Sequence, residues 1–174
     1  MKTKQAKRTA LAFTILLAAT TATFAQQKPN FSGRWELNKA KSSPVGQMQN
    51  RVLVIEHNDP AIKVNRTETY ADGERVSNPL NLTTDGKLGY YTQFGGKNRQ
   101  NFQASWEGVK LVIKWNQDRG PTGQETETWT LSPNGKTLTI TTTQQARETK
   151  SGGVTSGANP IGKLITTKVV LEKR

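Results

Sequence analysis

Apolar and polar side chains alternate along most of the chain beyond residue 30, and the alternation begins in Phe31–Asn38, FSGRWELN. Phe31, Gly33, Trp35 and Leu37 fall on one face of such a strand and Ser32, Arg34, Glu36 and Asn38 on the other, because successive strand side chains point to opposite sides. Gly33 leaves room for Trp35 to lie flat against neighbouring backbone, and an indole is the largest apolar surface one residue brings to a core. Both are read as structural, with Trp35 plugging one end of the fold.

The same period of two recurs down the chain. Arg51–His57 carries Val52, Leu53, Val54 and Ile55 and ends at the turn Asn58-Asp59-Pro60. Ile62–Tyr70 sets Ile62, Val64, Arg66, Glu68 and Tyr70 on one side before Asp72-Gly73. Arg75–Thr84 contains Pro79, which donates no ladder hydrogen bond and so marks an edge or a bulge. Leu88–Phe94 alternates Leu88, Tyr90, Thr92 and Phe94, and Gln100–Trp106 alternates Phe102, Ala104 and Trp106. Val109–Trp115 is the cleanest alternation, with Val109, Leu111, Ile113 and Trp115 opposed to Lys110 and Lys114. Glu125–Leu131 and Lys136–Thr143 flank Ser132-Pro133-Asn134-Gly135, a hairpin signal. Lys163–Glu172 supplies the closing strand. Lys39–Asn50 and Asn116–Gln124 are loops, and Arg147–Gly162, rich in Gly, Ser, Asn and Pro, is expected to be disordered or a long flap.

About ten short strands at a spacing of roughly 8–12 residues, with no helical period beyond the leader, predict an all-β fold. Tight Gly, Asp and Asn turns make sequence neighbours spatial neighbours, which gives an antiparallel up-and-down meander. Pairing the last strand with the first removes both edges, so a barrel is favoured over the alternative, a β-sandwich, which needs crossovers.

Residues 1–25 change the picture of where the chain works. Lys2, Lys4, Lys7 and Arg8 precede an apolar stretch from Ala10 to about Ala22, and Thr23-Phe24-Ala25 offers small residues for signal peptidase. Cleavage after Ala25 is expected, leaving residues 26–174 as one domain, periplasmic or secreted. The apolar stretch falls short of the ~20 residues of a membrane span, so no transmembrane anchor is expected after cleavage. The chain of 174 residues has no cysteine, which excludes disulfides, thiolate metal sites and a cysteine nucleophile. Its formal net charge is +12, of which the four basic leader residues supply four, leaving +8 beyond them. Lys and Arg are dispersed singly, the pattern of a solvated surface; weak polyanion contact fits it and specific nucleic-acid recognition does not.

Phe31-x-Gly33-x-Trp35-x-Leu37 resembles the first-strand signature of the calycins, the superfamily of lipocalins and fatty-acid-binding proteins. Phe31–Ser42 and Trp129–Thr139 are also similar to segments of a group of small exported bacterial lipocalin-like proteins. The resemblance implies an up-and-down barrel around a ligand cavity. It does not imply a fatty-acid ligand: Thr84-Asp85 runs into Gly86 where lipocalins have tyrosine, Lys163–Arg174 holds no Arg-x-Tyr pair, and no segment can form a two-helix lid.

Candidate chemistry is sparse. The single histidine, His57, is read as a solvated strand-end residue, with no second His or Cys to complete a metal site. Asp59, Asp72, Asp85 and Asp118 are accounted for by turns. Glu125 and Glu127 share a strand face that flanking threonines mark as wet. No nucleophile elbow, phosphate loop or dinucleotide fingerprint occurs, so neither an enzyme nor a cofactor is expected. Tyr70, Tyr90, Phe94, Phe102, Trp106 and Trp115 are the candidate ligand contacts, projecting inward from successive strands of a barrel wide enough for one small ligand. Packing is the commoner use of such a stripe, so each is either cavity wall or core. Arg66 either meets an anionic ligand or pairs with Glu68, the pairing being favoured. Two functions stay open: a monomer binding a small apolar or amphipathic molecule inside the barrel, or a filled-barrel envelope or extracellular interaction module meeting an anionic partner through its basic surface.

Overall fold

The alternation folds into a single antiparallel sheet. The computed structural model describes residues 27–92, 99–117, 125–145 and 164–174. The leader, Phe94, Asp118 and the Arg147–Gly162 segment lie outside the described residues. Eleven strands follow in chain order: β1 (Gly33–Leu37), β2 (Asn50–Asn58), β3 (Ala61–Tyr70), β4 (Gly73–Val76), β5 (Leu80–Thr83), β6 (Asp85–Thr92), β7 (Arg99–Glu107), β8 (Lys110–Gln117), β9 (Glu125–Leu131), β10 (Thr137–Gln145) and β11 (Leu164–Lys173). Pro79 cuts the fourth expected strand into β4 and β5, which pair with successive halves of β3.

The sheet order is β4-β3-β2-β1-β11-β10-β9-β8-β7-β6, with β5 also on β3. The last strand does zip to the first, Trp35 facing Lys173 and Leu37 facing Leu171. The meander curls into a half-barrel rather than a sandwich. Its seam is displaced from the chain ends: among the described residues no ladder joins β4 or β5 to β6. Side-chain hydrogen bonds bridge that seam: Asn78 Nδ2 donates to the Thr92 carbonyl at 2.8 Å, the Tyr91 hydroxyl to the Asn78 carbonyl at 3.3 Å, and Thr83 Oγ1 to Asp85 Oδ1 at 2.7 Å.

Inward positions follow the expected parity on most strands. Trp35, Phe31, Phe102, Ile62, Leu111, Ile113, Leu138 and Leu171 are fully buried in one cluster. The exception is β6. Its register shifts between Asp85 and Leu88, and Gly89, not Tyr90, stands opposite the inward Phe102. Leu88 and Tyr90 therefore face solvent, about half exposed, while Tyr91 is buried. Gly89 is where a side chain would collide: a Cβ there would run into the Phe102 ring. Gly89→Ala is therefore expected to cost about 1–3 kcal/mol by overpacking, measured by urea denaturation. A loss under about 0.5 kcal/mol would show that the Phe102 ring has room to turn aside.

Candidate functional site

The curl of the sheet leaves an interior cavity of about 330 Å³. Arg51, Leu53, Val64, Arg66 and Tyr70 from β2 and β3 line one part of it, and Trp115, Glu125, Glu127 and Trp129 from β8 and β9 another. Ile140 and Val169 add apolar surface, and Pro44, Val45 and Met48 of the β1–β2 connection also line it. Strand parity puts the charges there. Arg51 shares a face with Leu53 and Ile55, both buried, and Glu125 and Glu127 are paired with the inward Trp115 and Ile113.

Glu68, 4% exposed, is the hub of the cationic side. Its Oε1 accepts from Arg51 Nη2 at 2.7 Å and Nε at 2.9 Å, and its Oε2 from the Tyr70 hydroxyl at 2.8 Å. Burial pushes its carboxyl up, but Arg51, Tyr70 and Arg66 outweigh that and hold it below the ordinary glutamate value. Arg66 does approach Glu68, at 3.8 Å, yet its Nε donates to the Ser77 hydroxyl at 3.1 Å; the close pair is Arg51–Glu68. On β9, Trp129 Nε1 donates to Glu127 Oε2 at 3.1 Å. Glu125 accepts no hydrogen bond from a described residue; burial, then the neighbouring Glu127 charge, pushes its carboxyl up, with Arg66 opposing in part.

Of the candidate ligand contacts, Arg66, Tyr70 and Trp115 border the cavity. Phe102 lies behind it, 1% exposed, its ring centroid 5.0 Å from that of Trp115. Tyr90 points outward beneath the Arg99 guanidinium, 3.7 Å from the ring centroid, because the β6 register puts it on the outer face. Trp106 belongs to a separate stack, 5.8 Å from Phe31 and nearly parallel to it, with its indole N–H donating to Asp59 Oδ1 at 3.1 Å.

That stack also corrects the reading of His57. Its side chain is 3% exposed, lying against Phe31 and Trp106, and Nδ1 accepts the Phe31 backbone N–H at 3.1 Å. Burial lowers its pKa, with Asp59 opposing, and Nδ1 as acceptor selects the neutral tautomer protonated at Nε2. Asp59 itself is held down to about 2 by hydrogen bonds from the Thr84 hydroxyl and the Trp106 indole. The pattern of β2 alone could not show that Phe31 folds over the imidazole. Among the described residues no three His, Asp or Glu side chains converge as a metal site.

No family model matches this chain, and no curated protein sequence does either. Its fold is shared with solved β-barrels. A secretary abundant heat soluble (SAHS) protein from Ramazzottius varieornatus superposes with a TM-score of 0.55 at 12% identity, over 86% of this chain and 99% of that one. Zebrafish ileal bile acid-binding protein, complexed with cholic acid, superposes at 0.50 with 19% identity, over 83% of this chain and 98% of that one. Both are calycin-type barrels, and at these identities the likeness is one of fold. The polar and aromatic lining residues that sequence reasoning missed include Arg51, Tyr91, Trp129, Glu125 and Glu127. Continuing the parity of Leu53 back to Arg51, and of Trp129 back to Glu127 and Glu125, would have found three of them. Among the described residues no helix is long and apolar enough to cross a membrane.

Proposed function

We propose that this chain is an exported binding protein that holds one small amphipathic molecule, without covalent bonds, in the cavity between β2–β3 and β8–β9. The observation that supports it is a cavity of about 330 Å³ whose wall mixes Leu53, Val64, Leu80, Trp115 and Ile140 with Arg51, Arg66, Tyr70, Glu125 and Glu127. Small-molecule sites occupy roughly 300–1,000 Å³ and combine apolar walls with a few placed polar groups. The composition of this wall favours an amphipathic ligand over a purely apolar one, since an alkane would leave the charged groups without compensation. The cholic acid of the zebrafish complex is a ligand of that kind in a related fold. The pattern of residues 1–25 supports export, with cleavage after Ala25.

Thr142 lines the cavity, and Thr142→Trp fills space without emptying the core. Isothermal titration with amphiphiles is expected to show binding by the natural chain and a loss of at least about tenfold in Thr142→Trp, with the thermal midpoint preserved. Native mass spectrometry of protein purified from its own host is expected to show a small adduct. Protein free of adducts, combined with no heat of binding for any amphiphile, overturns the reading.

A further inference from the structure

The cavity wall is charged, and its charges are unequally satisfied. Arg51 spends both Nε and Nη2 on Glu68 Oε1, and the Tyr70 hydroxyl is spent on Oε2. That group is neutral and closed: a ligand carboxylate entering here would compete with Glu68 for its own donors. Arg66 remains, its Nε given to Ser77. Against this single cation stand Glu125 and Glu127, two carboxylates on one face of β9. Two guanidinium groups and two carboxylates line the cavity, and because Arg51 is already paired with Glu68 behind the wall, the balance left to a ligand is one guanidinium to two carboxylates, in a chain of net charge +8 beyond the leader. That excess of carboxylate favours an occupant of positive charge.

The local geometry agrees. Trp129 fixes one oxygen of Glu127 at 3.1 Å, leaving the other for a ligand, and Glu125 has no hydrogen-bonded partner among the described residues. The ladder puts Trp115 directly opposite Glu125, and Trp115, Trp129 and Tyr91 all border the space. Carboxylates beside aromatic rings are the surroundings that an organic ammonium group prefers over an anion, because the ring faces carry negative potential.

We infer that the cavity selects a cationic amphiphile, a primary or substituted alkylammonium, with Glu125 and Glu127 as its anionic acceptors and Trp115 as part of its aromatic wall. This rests on the interior-binding reading above. Arg66 then acts against the ligand as a competing cation for the same two carboxylates.

Titration calorimetry with decylamine, decanoate and decanol at neutral pH separates the two levels. Decylamine is expected to bind at least about tenfold more tightly than decanoate. Glu125→Gln combined with Glu127→Gln is expected to weaken decylamine by at least about tenfold while leaving decanol within about twofold. Arg66→Met, which tests the same balance should the double variant not fold, is expected to tighten decylamine by at least about threefold. Decanoate binding as tightly as decylamine, or decylamine indifferent both to loss of the two glutamates and to loss of Arg66, overturns the inference while leaving interior binding intact. Absence of binding by all three probes overturns both.

Discussion

Trp35→Ala is expected to remove about 4 kcal/mol of folding stability, the loss typical of deleting a fully buried tryptophan. Trp35 is 0% exposed and its indole N–H donates to the Phe31 carbonyl at 2.9 Å, so truncation leaves both a cavity and an unpaired buried acceptor. Position matters as much as size. Trp35 faces Leu53 of β2 on one side and Lys173 of β11 on the other, at the strand that joins the beginning of the meander to its end. The Lys173 ammonium sits 5.4 Å from the indole centroid, and its stem occupies the space that a side chain at Gly33 would need. Urea denaturation followed by circular dichroism measures the loss. Trp35→Phe keeps most of the buried surface and should recover about half of it. A Trp35→Ala loss below about 1.5 kcal/mol would mean that the β1–β11 closure carries far less of the fold than its burial implies.

Arg51→Met is the second large effect, about 3 kcal/mol destabilising, because it strands a buried carboxylate rather than because the ion pair is intrinsically worth that much. Glu68 keeps the Tyr70 hydroxyl and a more distant Arg66, which places the cost at the lower end for a broken buried pair. Replacing both partners, Arg51→Met with Glu68→Leu, should therefore be less damaging than Arg51→Met alone. The pH dependence fixes the sign. The Glu68 carboxyl is lowered from 4.5, so its contribution is fully present above that value and is lost as pH falls through the lower folded-state pKa. In Arg51→Met that acid limb should flatten, since the folded-state pKa rises toward or above the unfolded one. An acid limb as steep as that of the natural chain would show that Arg51 does not set the Glu68 charge.

The sequence exposed the strands well because nearly all of them are amphipathic and each is bounded by a Gly, Asp, Asn or Pro turn. Leu111, Ile113 and Trp115 lie inward as their spacing dictates, with Lys110 and Lys114 outward. What stayed hidden has three physical sources. A register shift in β6 moved the inward position from Tyr90 to Gly89 and Tyr91, and glycine carries no hydropathy signal to betray it. Charged inward residues broke the rule that polar means outward: Arg51, Glu125 and Glu127 stand on core-facing parity, yet their side-chain type reads as surface. Finally, His57 is buried by residues distant along the chain, Phe31 and Trp106, and no window around β2 contains them.

The seam between β4–β5 and β6 is where the main-chain ladder stops among the described residues. A ring of strands knitted all the way round must tear a row of main-chain bonds to part any two neighbours. Here Asn78, between β4 and β5, meets β6 through two hydrogen bonds, to the Thr92 carbonyl and from the Tyr91 hydroxyl, and Thr83 Oγ1 donates to Asp85 Oδ1 where β5 turns into β6. Parting these contacts costs about 1 kcal/mol for each such bond, less than breaking the many main-chain bonds of a laddered pair. Strain on the sheet is therefore expected to part this edge before any strand leaves the ladder.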